Sequence, residues 1–184
     1  LPHPLIVGSG PLGDDLDTVK ALEDAGAAML VLRSLYEEQI TDEQMNASVN
    51  VEAFPESFAE AASFTPVPTR SLGPDEYLEH LRLIKQAVAI PVIASLNGVT
   101  PGGWLTYAGL LEEAGADGIE LQIYHAASDM TSSAADVERD AIDVVRAVKR
   151  TVRIPVAVKL APLLTAFAHF AKALDTAGAD GLGL

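Results

Sequence analysis

The chain has 184 residues, with 26 acidic against 12 basic side chains, a formal net charge of −14 and no cysteine. That charge repels phosphate backbones and anionic lipid surfaces, so nucleic-acid and membrane-surface partners are disfavoured and a small-molecule substrate in a local pocket is expected. Without cysteine there are no disulfides, thiolate metal sites or cysteine nucleophiles, and nothing moves the expected location away from the cytoplasm. No apolar run approaches the ~20 residues that span a bilayer. Nearly half of the residues are hydrophobic, which suits one domain over 1–184 with a sizeable core.

In chain order, Pro4-Leu5-Ile6-Val7 opens a predicted strand over about 4–9 that ends in Gly8-Ser9-Gly10. Apolar residues at three- and four-residue spacing predict a helix over 14–23. The phrase "LEDAGAAMLVL" then carries the chain through a glycine turn into a strand over 28–33, ending at Arg33-Ser34. Residues 34–73 break the rhythm as a long loop insertion, with an acidic helical stretch and the extended "TPVPTR". Such an insertion lines a site or forms an interface loop. A helix over 74–88 follows, with Asp75 as a candidate N-cap, or Gly73 if Pro74 is the first helical residue. Pro91-Val92-Ile93-Ala94 opens a strand over 91–96 that runs into Asn97-Gly98. A helix over 103–113 leads through "LEEAGADGIEL" into a strand over 117–123, followed by Tyr124-His125. Ser133 caps a predicted helix over 133–152. "IPVAVKLAP" gives a strand over 155–160 that carries Lys159. A last helix over 163–176 passes through "LDTAGADGLGL" into a strand over 180–184.

Two phrases therefore alternate. Pro followed by an apolar run fits the first residue of a strand, where no ladder donor is required. Gly after an acidic helix end fits the left-handed position beyond a helix. Alternating strands and helices with apolar strands imply a parallel sheet. Pro-led strands alternating with AGAD-led strands favour a (β/α) barrel of TIM type over an open doubly wound sheet. About six of eight βα units are expected, which would make the chain a partial barrel ending after its sixth strand. "GSGPLG" is too irregular for a dinucleotide fingerprint.

Ligands of such folds sit beyond the carboxyl ends of the strands. There the sequence places Gly8, Ser9, Gly10, Arg33, Ser34, Asn97, Gln122, His125 and Lys159. Glu120 shares a strand face with Gln122, and Arg33 would share one with Val31. Plainer roles stand beside these. Lys159 can pair Glu120, because a buried cation needs a partner. Arg33 can pair Glu37 or Glu38, Asn97-Gly98 suits a turn, and His125 can be a solvated loop residue. No His and carboxylate spacing suggests a metal site.

Taken together, "GSGPLGDDLDTVKALEDAGAA", "LRSLYEEQI", "IPVIASLNGVTPGGW", "ADGIELQIYH" and "IPVAVKLAP" resemble the dihydroorotate dehydrogenases, over essentially the whole chain. The resemblance implies an FMN-dependent TIM barrel of pyrimidine biosynthesis. It implies that Lys159 lies near flavin N1 and the C2 carbonyl, and that Gly8, Ser9 and Gly10 pass under the isoalloxazine ring. Arg33 stands where the family has a lysine, and Gln122 where it has an asparagine that contacts flavin and substrate. His125 stands where the family's base is cysteine or serine, and histidine is a competent base near neutral pH. These departures bear on which small cyclic substrate is oxidised. The family binds the FMN phosphate after its seventh and eighth strands, so these 184 residues are expected to hold FMN weakly or not at all. The competing readings are a Schiff-base lyase or aldolase that uses Lys159, and a non-catalytic barrel fragment. A homodimer is one assembly open to the chain.

Overall fold

The computed structural model describes residues 1–41, 72–98, 102, 105–124, 130–161, 164 and 166–184. After a 3-10 turn at Pro11–Gly13, the chain forms α1 (Leu16–Asp24), β1 (Leu30–Tyr36), α2 (Pro74–Ala87), β2 (Val92–Asn97), α3 (Leu105–Glu113), β3 (Gly118–Ile123), α4 (Ala134–Thr151), β4 (Val156–Leu160), α5 (Phe167–Ala177) and β5 (Gly181–Gly183). The strands form one five-stranded parallel sheet in the order β1-β2-β3-β4-β5. Neighbours in sequence are thus neighbours in space, and consecutive helices touch one another from α1 to α5. With right-handed crossovers this order places the helices on a single face of the sheet.

That face is the core. Leu30, Leu35, Val92, Ala94, Leu96, Ile119, Leu121, Val156 and Val158 point into it and are fully buried. They meet Leu81 and Ile84 of α2, Leu111 of α3, Val144, Val145 and Val148 of α4, and Leu174 of α5. Two of the predicted helix starts hold in detail, while those predicted at 14, 103 and 163 fall at Leu16, Leu105 and Phe167. Gly73 precedes α2 with Pro74 as its first residue, and the Gly73 N–H donates to Glu76 at 3.2 Å. Ser133 and Asp136 close a reciprocal capping box on α4. Hydrogen bonding to Ser133, and then to Arg139, lowers the Asp136 carboxyl to about 2.

The AGAD phrase has a second function that its composition hides. Asp117 Oδ2 accepts the N–H of Val92 at 2.7 Å and pairs with Lys85 at 2.5 Å. Asp180 Oδ2 accepts the N–H of Val156 at 2.8 Å and pairs with Lys149 at 2.7 Å. Each aspartate therefore supplies the acceptor that the first ladder N–H of the neighbouring Pro-led strand needs. Gly115 and Gly178 have φ of 99° and 107°, where a Cβ would be strained. The stems of Lys85 and Lys149 lie over them, and a Cβ there would meet the lysine Cγ at 3.7 and 3.6 Å. Glu23 and Glu112, from the matching "LEDAG" and "LEEAG", accept from the N–H groups of Ala89 and Ile90 and of Arg153 respectively.

Two expectations need correction. The predicted strand at 4–9 is only a single parallel bridge between Val7 and Leu30. Gly26 is followed two positions later by Ala28, where the other repeats have Asp117 and Asp180, so this position offers no aspartate to clamp the segment. Leu5 and Ile6 are exposed accordingly. The strand predicted over 28–33 continues to Tyr36, so the excursion assigned to 34–73 begins later; residues 37–41 are helical, and 42–71 lie outside the described residues.

Hydrogen bonding to Lys149 first, and then to the Val156 N–H, lowers the Asp180 carboxyl below its ordinary value. A lowered pKa in the folded state contributes stability above the unfolded carboxylate range, and that stability is lost as pH falls through the folded value. Asp180→Ala is expected to cost about 1–3 kcal/mol at pH 7, since it leaves a partly buried N–H unpaired. In urea unfolding, the gap between variant and parent should narrow from pH 7 to pH 3.

Candidate functional site

The face of the sheet opposite the helices carries the polar side chains, and the strand register stacks them in two rows. Ser34, Ser95, Glu120, Ala157 and Gly181 lie side by side across the five strands. One step nearer the carboxyl ends, Tyr36, Asn97, Gln122, Lys159 and Gly183 form the second row. The two glycines leave β5 bare on this face, so Lys159 has open space beside it. Its side chain is 39% exposed, against 19% for Glu120.

A connected network joins the rows. Lys159 Nζ lies 3.8 Å from Glu120 Oε1, across the diagonal between β3 and β4. The same oxygen accepts from Ser95 Oγ at 3.2 Å. Ser95 Oγ is 2.7 Å from Ser34 Oγ, and Ser34 Oγ is 3.3 Å from Gln122 Oε1. Ser95 is fully buried and Ser34 nearly so. Behind the sheet, the Ser95 N–H donates to the hydroxyl of Tyr77 at 3.1 Å. Burial pushes the Tyr77 phenol above its ordinary range; the hydrogen bond to Ser95 opposes this and the charge of Glu120 adds to it.

The register of β1 is irregular opposite Ser95, whose backbone Tyr77 bonds. Between Val31 and Ser34 the register slips, so three steps on β1 match two on β2. The extra residue turns the strand by one position. Ser34, and not Arg33, therefore joins Val31 on the polar face, which corrects the expected alternation. Arg33 points to Asp14, with Nε 3.1 Å from Oδ1 and Nη2 bonded to Oδ2. The predicted partners Glu37 and Glu38 are replaced by this residue from the first turn. Arg33 and Asp14 line a small cleft with Gly13, Leu32, Ser34, Leu72, Tyr77 and His80, and His80 Nε2 is 2.7 Å from the Gly13 carbonyl.

Of the residues singled out from the sequence, the structure gathers Ser34, Asn97, Gln122 and Lys159 on one face, and it separates Arg33 from them. Gly8 follows the Val7 bridge, and a Cβ added there would meet nothing within 4 Å. Gly10 is extended and precedes the 3-10 turn. His125 lies outside the described residues, two positions beyond the end of β3. The sequence reading did not single out Ser95 or Tyr77. A serine in the middle of the apolar run "VIASLN" was the available signal for the first.

No protein-family model matches the chain. It is 29% identical over 184 residues to the catalytic subunit of dihydroorotate dehydrogenase B (NAD(+)) from Methanocella arvoryzae, which covers 99% of this chain and 57% of that protein. It is 27% identical over 193 residues to the protein of the same name from Methanothermobacter thermautotrophicus, covering 100% and 58%. This chain is a relative of the dihydroorotate dehydrogenases. It spans about 57% of the length of these relatives. Among solved structures, phosphonopyruvate hydrolase matches with a TM-score of 0.54 at 18% identity, over 97% of this chain and 56% of that one. A prophage protein of the dihydrodipicolinic acid synthase family from E. coli K12 matches with a TM-score of 0.55 at 18% identity, over 96% and 51%. At that identity these matches bear on the fold alone. Among the described residues, no helix is long and apolar enough to cross a membrane.

Glu120→Ala is expected to cost about 1–2 kcal/mol in chemical denaturation, because the buried Ser95 hydroxyl loses its acceptor. Lys159→Met should cost less. A double-mutant cycle should return a coupling of about 0.5 kcal/mol, the scale of a half-exposed ion pair.

Proposed function

We propose that the chain forms the flavin-facing part of an FMN-dependent oxidoreductase of the dihydroorotate dehydrogenase type, in a (β/α) barrel whose helix-free face is the interior. The observation that carries this reading is the row Asn97-Gln122-Lys159 at the carboxyl ends of adjacent strands, beside a strand whose residues on this face, Gly181 and Gly183, are glycines. Its composition fits a flat heteroaromatic ring: a cation, two amides, and no bulk at Gly181, Gly183 or Gly8. The dihydroorotate dehydrogenase relatives support the same reading.

When bound, FMN would supply a hydride acceptor. The chain's own groups supply the surroundings. Lys159 places positive charge where the ring becomes electron-rich, which is how a protein tunes a cofactor. Gln122 and Asn97 orient ligand edges by hydrogen bonding. Glu120 holds Lys159 to the rim and keeps its charge compensated. His125 is proposed as the base that removes the substrate proton, with dihydroorotate or a related small cyclic compound as substrate, in pyrimidine biosynthesis. Schiff-base chemistry at Lys159 is less well supported. It needs a free amine in a dry pocket, whereas Lys159 is two-fifths exposed and has a carboxylate partner.

The test is a visible spectrum of the protein, in this chain and in any longer form, titrated with FMN. Flavin bands that shift on binding are expected in a longer form, with weak or no binding in this chain, and Lys159→Met in the longer form should weaken binding by about tenfold, the effect of losing ~1.4 kcal/mol. An unperturbed free-flavin spectrum in both forms would exclude the reading. With flavin bound, His125→Ala should abolish turnover and leave the spectrum unchanged.

A further inference from the structure

The hydrogen-bond chain on the polar face contains a proton-counting problem. It has three links: Gln122 to Ser34, Ser34 to Ser95, and Ser95 to Glu120. The two serines bring two hydroxyl protons between them. If Ser34 donates to the Gln122 carbonyl and Ser95 donates to Glu120, the 2.7 Å contact between the serine oxygens holds no proton. Two buried oxygens at that distance without a proton repel each other. The chain therefore needs a third donor at one of its ends.

Two donors are available. One is the carboxyl of Glu120 in its protonated form, and the other is the NH2 of Gln122. Lys159 Nζ lies 3.8 Å from the Glu120 oxygen that Ser95 contacts. A protonated carboxyl would leave the ammonium beside it without a counter-charge. That leaves the amide. A half-turn about the last side-chain torsion exchanges its oxygen and nitrogen within the same shape, and the hydrogen-bond network decides between the two orientations. Among the described residues, the other terminal atom of the Gln122 amide has no hydrogen-bond partner to oppose the turn.

We propose that Gln122 points its NH2 at Ser34 and its carbonyl at the open rim beside Lys159. Every link is then filled in one direction: Gln122 donates to Ser34, Ser34 to Ser95, and Ser95 to the Glu120 carboxylate. Each hydroxyl donates once and accepts once. The rim consequently presents an ammonium and a carbonyl acceptor on paired residues of adjacent strands. That pair recognises a cyclic amide or imide edge, with a carbonyl oxygen for Lys159 next to an N–H for Gln122. Gln122 is thus a specificity-determining residue, and the network that fixes it begins at Ser95, whose backbone Tyr77 holds. The assignment of the edge to a ligand rests on the flavin reading, while the orientation of Gln122 does not.

The orientation is tested by NMR on the protein without flavin. Expected at pH 7 are a Glu120 side-chain carbon signal typical of carboxylate, and a Gln122 NH2 with one proton protected from solvent exchange. Ser34→Ala should remove that protection. Gln122→Glu should lower the melting temperature by roughly 2–6 °C, because it puts acceptors at both ends of the chain of hydroxyls. A protonated Glu120, freely exchanging Gln122 amide protons, or an unchanged melting temperature in Gln122→Glu would each overturn the orientation. For the ligand, FMN should bind about tenfold more tightly than its N3-methyl derivative, and equal affinities would overturn the imide edge. If neither this chain nor a longer form binds flavin while the expected NMR signals appear, the flavin reading falls and the orientation of Gln122 stands.

Discussion

Because the strands follow one another in chain order and consecutive helices pack together, the sheet has one face covered by helices and one that carries no helix among the described residues. The helices take up the apolar side chains, and the period-2 alternation of the strands leaves the remainder to the other face. Wherever a strand places a charge or an amide on its uncovered side, the parallel register sets it beside its equivalents on the neighbouring strands. Lys159, Gln122 and Asn97 meet for this reason, though they come from three separate segments of sequence. The network from Glu120 to Ser34 is a second product of the same constraint, one row deeper.

The division between the two ends of the strands is equally physical. At the amino ends, aspartates 117 and 180 hold the first N–H of each Pro-led strand and are themselves held by lysines from the preceding helix. At the carboxyl ends no comparable fastening is made among the described residues, and the polar side chains there are committed to one another. One rim is fastened by carboxylates to the backbone, and the other holds a network of side chains.

Much of this was legible in advance, for identifiable reasons. The Pro-led runs and AGAD phrases marked four of the five strands closely, because proline and left-handed glycine are tolerated in few places. The pairing of Lys159 with Glu120 was the plainer of the two roles open to that lysine, because a cation needs a partner. Other features were hidden. The fate of Arg33 depended on an irregularity in β1 that has no local sequence mark. Pro4 through Ser9 looked like the other Pro-led runs, but the clamp that completes them comes from a distant aspartate, and here that position is Ala28. Ser95 was inconspicuous because a single hydroxyl in an apolar strand is usually a satisfied core group.

The recurrence of the Lys–Asp clamp bears on how such a chain could arise and change. Lys85, Val92 and Asp117 repeat as Lys149, Val156 and Asp180 with nearly the same spacing. A genetic exchange that joined one repeat to the other at equivalent points would keep a complete fastening in the hybrid. Duplication or loss of a whole unit would then preserve the stapled rim, while the opposite rim could vary in its chemistry from copy to copy.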